Sequence, residues 1–434
     1  MTAHSVRPPT SPQLPSGGCP VAHGQDAVAV SGTQMLDDPA HFYAGLRQYG
    51  PVVPVLLDGV PAWLVIGYAV CNQVFRDGLM FTRDLGEWSL VQGEGLLPAD
   101  WPLTPHVTPM PNMLYASGDE HARLRGAFRS ALAKIGPHQR NAIIRSAADQ
   151  LIDAFVDDGL ADIVGQYAAP LPVTVLARLF GFPPQVAGPL QRVVLTLLAG
   201  GAGALAADAE LTALIDAHVA RRRREPRADI VTGLLEAGLT DEETRWTVWL
   251  TVNAGIGATT AWLASCCDLL ARKEDTRTDL RGVLADIRDV MAEVLWDHTP
   301  VQQVIGRIAL SDVELGGATV RRGDLLVLSP AGANLDPIFG DSTTRRARTA
   351  GNFSNLSWGN GPHACPAQPH ASSIVDIGVA RLWTRLDDIH LTDPAQPTQW
   401  SPSPIVRMAA RLEVSFDPAR ARARAHTLAP TGDR

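Results

Sequence analysis

Phe353-Ser354-Asn355-Leu356-Ser357-Trp358-Gly359-Asn360-Gly361-Pro362-His363-Ala364-Cys365-Pro366 is the run that decides how the rest of the chain is read. Two glycines, a proline and a histidine fall just before a single cysteine, and an apolar helical pattern opens at about Ala371. Glycine tolerates positive φ and close backbone approach, so this run builds a tight loop lying flat against something planar, with the Cys365 sulfur turned inward. A helix starting just beyond it brings N–H groups and the positive end of its dipole to the sulfur, which favours thiolate over thiol.

A thiolate held in this way is a soft metal ligand, and a single one beneath a flat group suggests heme iron. Two other readings compete. A cysteine near a Gly-Pro turn is often a buried small hydrophobe. Zinc held by His363, Cys365 and His370 is conceivable, but zinc wants four ligands and the chain has no paired CxxC.

The segment from Trp358 to Ala367 resembles the heme loop of the cytochrome P450 superfamily, FGxGxHxCxG, with Trp358 at the aromatic position and Ala367 where the last glycine usually stands. The resemblance implies heme b, iron protoporphyrin IX, as cofactor. It implies Cys365 as the metal ligand, Trp358 and Gly359 beside the ring, and His363 donating to a propionate. It also implies a fold that is mostly α with a small β-rich lobe, a triangular prism of helices around a buried heme.

The 434 residues are 46% hydrophobic, ample for a large core, and length alone is only a prior on domain count. A formal net charge of −8, with no long basic run, argues against a nucleic-acid surface. Five cysteines, two of them adjacent (Cys266 and Cys267), do not make a disulfide framework, which points to a reducing cytoplasm. The start of the chain is rich in Pro, Ser and Gly and carries neither a signal-peptide nor an anchor pattern. The expected division is a flexible arm over 1–30, one catalytic domain over 31–420 and a tail over 421–434.

In chain order, helical spacing from Asp38 to Tyr49 ends at Gly50-Pro51, and Val52 to Leu57 and Ala62 to Ile66 read as strands around Asp58-Gly59. A short helix from Ala69 to Asp77 leads to Phe81-Thr82-Arg83-Asp84. This order resembles the β-rich lobe that opens bacterial cytochromes P450. From Leu85 to Pro111 no period is visible; in the family such a stretch covers the distal pocket, making Trp88, Leu90, Trp101 and Met110 candidate pocket residues.

His121 and Arg125 stand four apart on the next helix and so share a face suited to gripping one anionic group, although a solvated face is the ordinary fate of such a pair. They resemble the family's HxxxR helix, whose matching residues bind heme propionates. Helical patterns follow over Asn141–Asp157, Pro172–Phe180, Pro183–Leu198 and Leu211–Arg223, with an Ala/Gly-rich joint at 199–204 suited to a lid.

Trp246 to Cys267 is uncharged and long enough to raise a membrane span, but Asn253, its threonines and its glycines favour a buried core helix, and no membrane partner is expected. It resembles the family's distal helix, whose core reads Ala-Gly-x-(Asp/Glu)-(Thr/Ser). In one register Gly257 takes the acid position and Ala258 the alcohol; shifted by one, Thr259 becomes the alcohol. The acid is absent in both, leaving Asn253, Thr259, Thr260, water or the substrate to supply protons beside Ala254 and Gly255.

Glu293 matches the acid of the family's ExxR helix, but Trp296 replaces the arginine, as in a small set of actinobacterial members. Tryptophan cannot make the bidentate ion pair, so apolar stacking is expected to hold this corner. Arg307 matches the arginine that binds the second propionate, and 333–337 reads like the family's ANRDP with Leu335 for arginine. Arg345, Arg346 and Arg348 are either solvated or a docking patch for an acidic redox partner. Trp400 to Val406, continuing to Phe416, resembles the terminal hairpin that dips into the pocket.

An axial thiolate favours O–O cleavage. The resemblance therefore implies an oxidoreductase that uses O₂ to hydroxylate or oxidatively couple a small secondary metabolite, with aromatic or cyclic-peptide substrates as candidates. No Gly-rich nucleotide-binding unit is present, so electrons are expected from a separate ferredoxin and ferredoxin reductase. The alternative is a heme-binding protein with little turnover, a sensor or an accessory partner, motivated by the losses at Gly257 and Trp296.

Overall fold

A computed structural model describes residues 27–421, apart from 32, 93–96, 99–100, 102, 105–106, 200–202, 273–279, 342–343, 346–350 and 387. Strand β1 (Val28–Val30) pairs in parallel with β2 (Val52–Leu57), so the sheet begins inside the stretch expected to be a flexible arm. Between them, α1 (Pro39–Leu46) starts where the Asp38 carboxylate accepts the His41 N–H and Pro39 takes the first helical position. β2 turns into β3 (Val60–Val65) through Asp58 and Gly59, whose φ values of 48° and 85° suit the twist of a two-residue hairpin.

α2 (Tyr68–Arg76), β4 (Phe81–Thr82) and the short α3 (Ser89–Gln92) complete the first lobe. The helical body follows as α4 (Gly118–Ala133), α5 (Pro137–Asp153), β5 (Leu160–Asp162), α6 (Pro170–Leu179), α7 (Pro184–Ala199), α8 (Ala204–Arg224), α9 (Ile230–Glu236), α10 (Asp241–Arg272) and α11 (Leu280–Asp297). The chain returns to the first lobe as β6 (Val304–Ala309), β7 (Val313–Leu315), β8 (Ala318–Val320), β9 (Leu325–Leu328) and α12 (Pro330–Asn334). It ends on α13 (Gln368–Arg385), β10 (His390–Leu391) and β11 (Glu413–Ser415).

The main sheet has the order β1-β2-β3-β9-β6-β4. Its neighbours come from both ends of the chain, which closes the lobe over the heme-loop candidate and makes β6, buried at five of its six positions, an inner strand. The 32 residues of α10 span about 48 Å at 1.5 Å per residue, packing on α6, α8, α11 and α13. Among the described residues it is the one helix long and apolar enough to cross a membrane, and 61% of its apolar window is buried in protein, as in a core helix.

The stretch after Leu85 differs from its reading. Trp88, Leu90 and Trp101 do not line a pocket: they are buried with Val30, Tyr43, Leu57 and Ile308 in the first lobe's own core, and the Trp101 indole N–H donates to the Leu57 carbonyl at 3.0 Å. For Trp101 the indole N–H finds its acceptor at the end of a strand, while Trp88 Nε1 has no partner. Met110 is half-buried. Of the Ala/Gly-rich joint, 200–202 lies outside the described residues.

Candidate active site

The loop before α13 is pinned at both ends. Gly361 has φ of +68°, and a Cβ there would meet the Phe75 carbonyl oxygen of α2 at 2.6 Å, so only glycine lets the loop lie this close. The Cys365 N–H donates to the Trp358 carbonyl at 2.8 Å and closes the loop on itself. Arg125 of α4 donates to the Ala364 carbonyl beside it.

Asn334 of α12, fully buried, anchors the approach to this loop. Its amide donates to the Leu295 carbonyl (2.9 Å), Thr299 Oγ1 (3.1 Å) and Ser357 Oγ (3.0 Å), and its Oδ1 accepts the Leu356 N–H (2.8 Å). Ser357 Oγ donates to the same Leu295 carbonyl at 2.6 Å. The last turn of α11 is thereby tied to the loop through carbonyl groups that the helix itself leaves unsatisfied.

Trp296, 1% exposed, packs edge-on against Phe339 with centroids 4.7 Å apart, as the expected stacking requires. Its indole N–H also donates to the Asn352 carbonyl at 2.8 Å, a bond that the sequence reading missed. Arg345 overturns its reading as surface or docking patch. It is 9% exposed and turns inward, donating to the carbonyls of Asn334 (2.5 Å), Asp336 (3.4 Å) and Gly340 (3.3 Å), with Nε 3.5 Å from Asp297 Oδ1. Arg346 and Arg348 lie outside the described residues.

Cys365 is half-buried, and its thiol is pushed up by burial, against the lowering pull of the Ala367 and Gln368 N–H groups and the Arg125 guanidinium. The start of α13 thus acts on the sulfur as expected, and burial opposes it; a bound metal would take the proton's place.

Above the loop the structure gathers side-chain N–H donors. His121 of α4 and His363 stack with ring centroids 4.1 Å apart. Burial and the neighbouring Arg307, Arg83, His121 and Arg125 draw His363 down to about 2. Burial, then Arg83, lowers Arg307 to about 9. Burial, then Arg125 and Arg307, lowers His121.

Arg307 is 3% exposed and its Nε has no partner, nor has His121 Nε2. Among the described residues no carboxylate appears among the charges acting on this group of side chains. A buried cationic cluster without an anion is unfavourable on its own, because desolvation and mutual repulsion add. The donor set therefore fits a flat ligand carrying two carboxylates over a cysteine. Among the described residues no His, Cys, Asp and Glu cluster suits a bare metal ion, so the zinc reading has no support.

Midway along α10 burial loosens: Ala254 is exposed, and Thr251, Asn253, Gly255 and Ala258 are half-buried. Ala254 and Ala258 share a face, as does Thr251 three residues before Ala254, whereas Gly257 is buried. The other distal candidates are turned elsewhere. A Cβ on Gly255 would meet Leu176 of α6 at 3.5 Å, so this glycine spaces two helices. The Asn253 amide bonds back to the Trp249 carbonyl at 3.0 Å. Thr259 and Thr260 are 5% and 1% exposed, and the Thr260 hydroxyl has no partner. Trp358 meets α10 through Trp262, edge-on at 5.4 Å.

Fold and donor set together define a helical oxidoreductase built around an iron porphyrin. No family model matches the chain. It is 30% identical over 369 residues to 2-hydroxy-5-methyl-1-naphthoate 7-hydroxylase of Streptomyces carzinostaticus, covering 80% of this chain and 88% of the relative. It is 28% identical over 387 residues to nocardicin C N-oxygenase of Nocardia uniformis subsp. tsuyamanensis, covering 86% and 94%. Among solved structures, CYP154C4 of Streptomyces sp. ATCC 11861 superposes with a TM-score of 0.81 at 25% identity, over 90% of this chain and 98% of that one. The chain belongs to the bacterial cytochrome P450 family. Heme b is its cofactor, it is a heme-dependent monooxygenase, and it works on small molecules with electrons from a redox partner.

Proposed function

We propose that Cys365 is the axial ligand, that His121, Arg125, Arg307 and His363 hold the two heme carboxylates, and that Trp358 and Gly359 border the ring. The observation supporting this reading is the cluster of guanidinium and imidazole donors, with Arg307 Nε and His121 Nε2 left without partners, on which no carboxylate acts among the described residues. Bound there, heme with a thiolate ligand supplies reductive activation of O₂ and insertion of oxygen into, or oxidative coupling of, a bound substrate.

The chain's own residues orient and exclude. Arg125 bonds the Ala364 carbonyl and so steadies the backbone beside Cys365, while the small side chains of Ala254 and Ala258 would leave room for substrate on the accessible face of α10. Neither of these alanines can hold or pass a proton, and Thr259, Thr260 and Asn253 are turned from that face. Protons therefore come through water or from the substrate's own polar groups, which suits phenolic, aromatic or cyclic-peptide secondary metabolites. The sources of electrons are a cytoplasmic ferredoxin and ferredoxin reductase.

The test is the ferrous carbonyl spectrum of the loaded chain. Wild type is expected to show the red-shifted band of thiolate ligation and Cys365→Ala to lose it. An unchanged spectrum in the variant removes Cys365 from the iron. Consumption of NADPH with a surrogate ferredoxin, coupled to product from aromatic candidates, tests the rest.

A further inference from the structure

Arg83 follows β4, whose register on β6 runs Phe81 to Ala309 and Thr82 to Ile308, so the next residue on each strand is Arg83 and Arg307. Both arginines are 3% exposed. Like charges facing one another across a strand pair are destabilising, and burial strengthens the effect. Arg83 donates from Nε to the Leu114 carbonyl at 3.1 Å and from Nη1 to the Ile305 carbonyl at 2.9 Å, and its guanidinium stands 5.9 Å from the Tyr115 ring centroid. These are neutral partners, and among the described residues Nη2 makes no hydrogen bond.

A purely structural role is the competing account: Arg83 as a staple between the 112–115 segment and β6. A neutral amide would serve such a staple without burying a charge beside Arg307. The guanidinium instead joins a cluster whose members act on one another with no acid among them. With Arg125 and Arg307 it makes three permanent cations, one more than two carboxylates neutralise.

We propose that Arg83 is a further anchor for the carboxylates of the bound porphyrin, acting beside Arg307 through the free edge of its guanidinium. This rests on the heme reading above and extends it to a residue outside the four already assigned.

The test uses full-length chain loaded with iron protoporphyrin IX or with its dimethyl ester, whose carboxylates are blocked. Release to excess apomyoglobin is followed by Soret absorbance. Arg83→Gln keeps an N–H donor for the carbonyls but no charge. It is expected to release the free-acid porphyrin about ten- to a hundredfold faster than wild type, the worth of one charge-assisted hydrogen bond. Release of the ester is expected to stay within about threefold of wild type, a spread within ordinary context dependence.

Arg83→Lys keeps the charge and is expected to hold the free acid nearly as wild type does; it also serves as the readout if the glutamine variant does not fold. Equal acceleration of both porphyrins in Arg83→Gln, or no change in either, overturns the proposal and leaves a staple. So does a lysine variant that releases acid and ester faster by the same factor. Arg307→Gln is the control. If it discriminates acid from ester and Arg83→Gln does not, the heme reading stands and this inference falls. If wild type itself releases both porphyrins alike, the carboxylate reading fails at its root.

Discussion

Trp296 offers the sharpest perturbation of the loop anchor, because its ring and its N–H can be removed separately. Trp296→Phe keeps an aromatic edge against Phe339, at 4.7 Å in the native pair, but strips the 2.8 Å bond to the Asn352 carbonyl. One net hydrogen bond with a half-buried acceptor is worth about 1 kcal/mol. Trp296→Ala removes a 1% exposed indole as well and is expected to cost about 3–5 kcal/mol.

Trp296→Arg, which installs the residue usual in the family, is expected to destabilise about as much as alanine. The new guanidinium is buried against Phe339 in a site now filled by an indole, and pairing with Glu293, three residues earlier on α11, must first repay its desolvation. Urea unfolding of the loaded chain, followed by far-UV circular dichroism and by the Soret band, measures all three. An arginine variant at least as stable as wild type refutes the reasoning, and so does a phenylalanine variant as weak as alanine.

Asn334→Ala removes an amide whose two N–H groups are shared among three acceptors, together with one accepted bond, and is expected to cost about 3 kcal/mol, with faster heme release than from any variant that loses a single bond; calorimetry and heme transfer measure both. His370, drawn down to about 4 by burial and then by Arg140, binds fewer protons folded than unfolded between pH 6.5 and 4, so its contribution to stability is lost as pH falls through that window. His370→Gln is expected to flatten the acid limb of the unfolding curve by about 1–2 kcal/mol after solvent screening, and an unchanged slope between wild type and variant counts against it. Ala258→Thr returns a hydroxyl to the accessible face of α10 and is expected to lower the peroxide released per NADPH oxidised; a rise would mean that the hydroxyl obstructs the space above the ring.

What could be read from the chain was what is local to it. The cysteine loop, the His121–Arg125 pair and the long apolar α10 each declare themselves within a few helical turns, because turn chemistry and helical spacing are short-range. Arg83 was visible only as one letter after Phe81-Thr82, since its meaning comes from the Ile305 carbonyl 222 residues away. Asn334 likewise acts through Leu295 and Leu356, and Arg345 looked like surface because an arginine in a polar stretch usually is. Trp88 and Trp101 misled for the opposite reason: an aperiodic, Trp-rich stretch reads the same whether its aromatic rings line a cavity or fill a second core.

The two sides of the heme site depart from the family pattern in different ways. Beside the cysteine loop, Trp296 and Leu335 stand where the resemblance places arginines, yet the anchor is whole: Leu335 packs on the first lobe's core, Trp296 bonds Asn352, and Asn334 and Ser357 converge on one helix-end carbonyl. Hydrogen bonds to neutral carbonyls do most of the holding there, beside the shielded Arg345–Asp297 contact, so heme retention is expected to depend weakly on salt as far as this corner is concerned. On α10 the substitutions at Gly257 and Ala258 have no such replacement. Thr259 and Thr260 are buried, the Thr251 hydroxyl donates to the Thr247 carbonyl, and the Asn253 amide is engaged by its own helix. A chain that rebuilt one side with new bonds and left the other bare puts the burden of proton supply on what occupies the space beside Ala254 and Ala258. Candidate substrates should therefore be ranked by whether they carry a hydroxyl or amide to that face, before they are ranked by size.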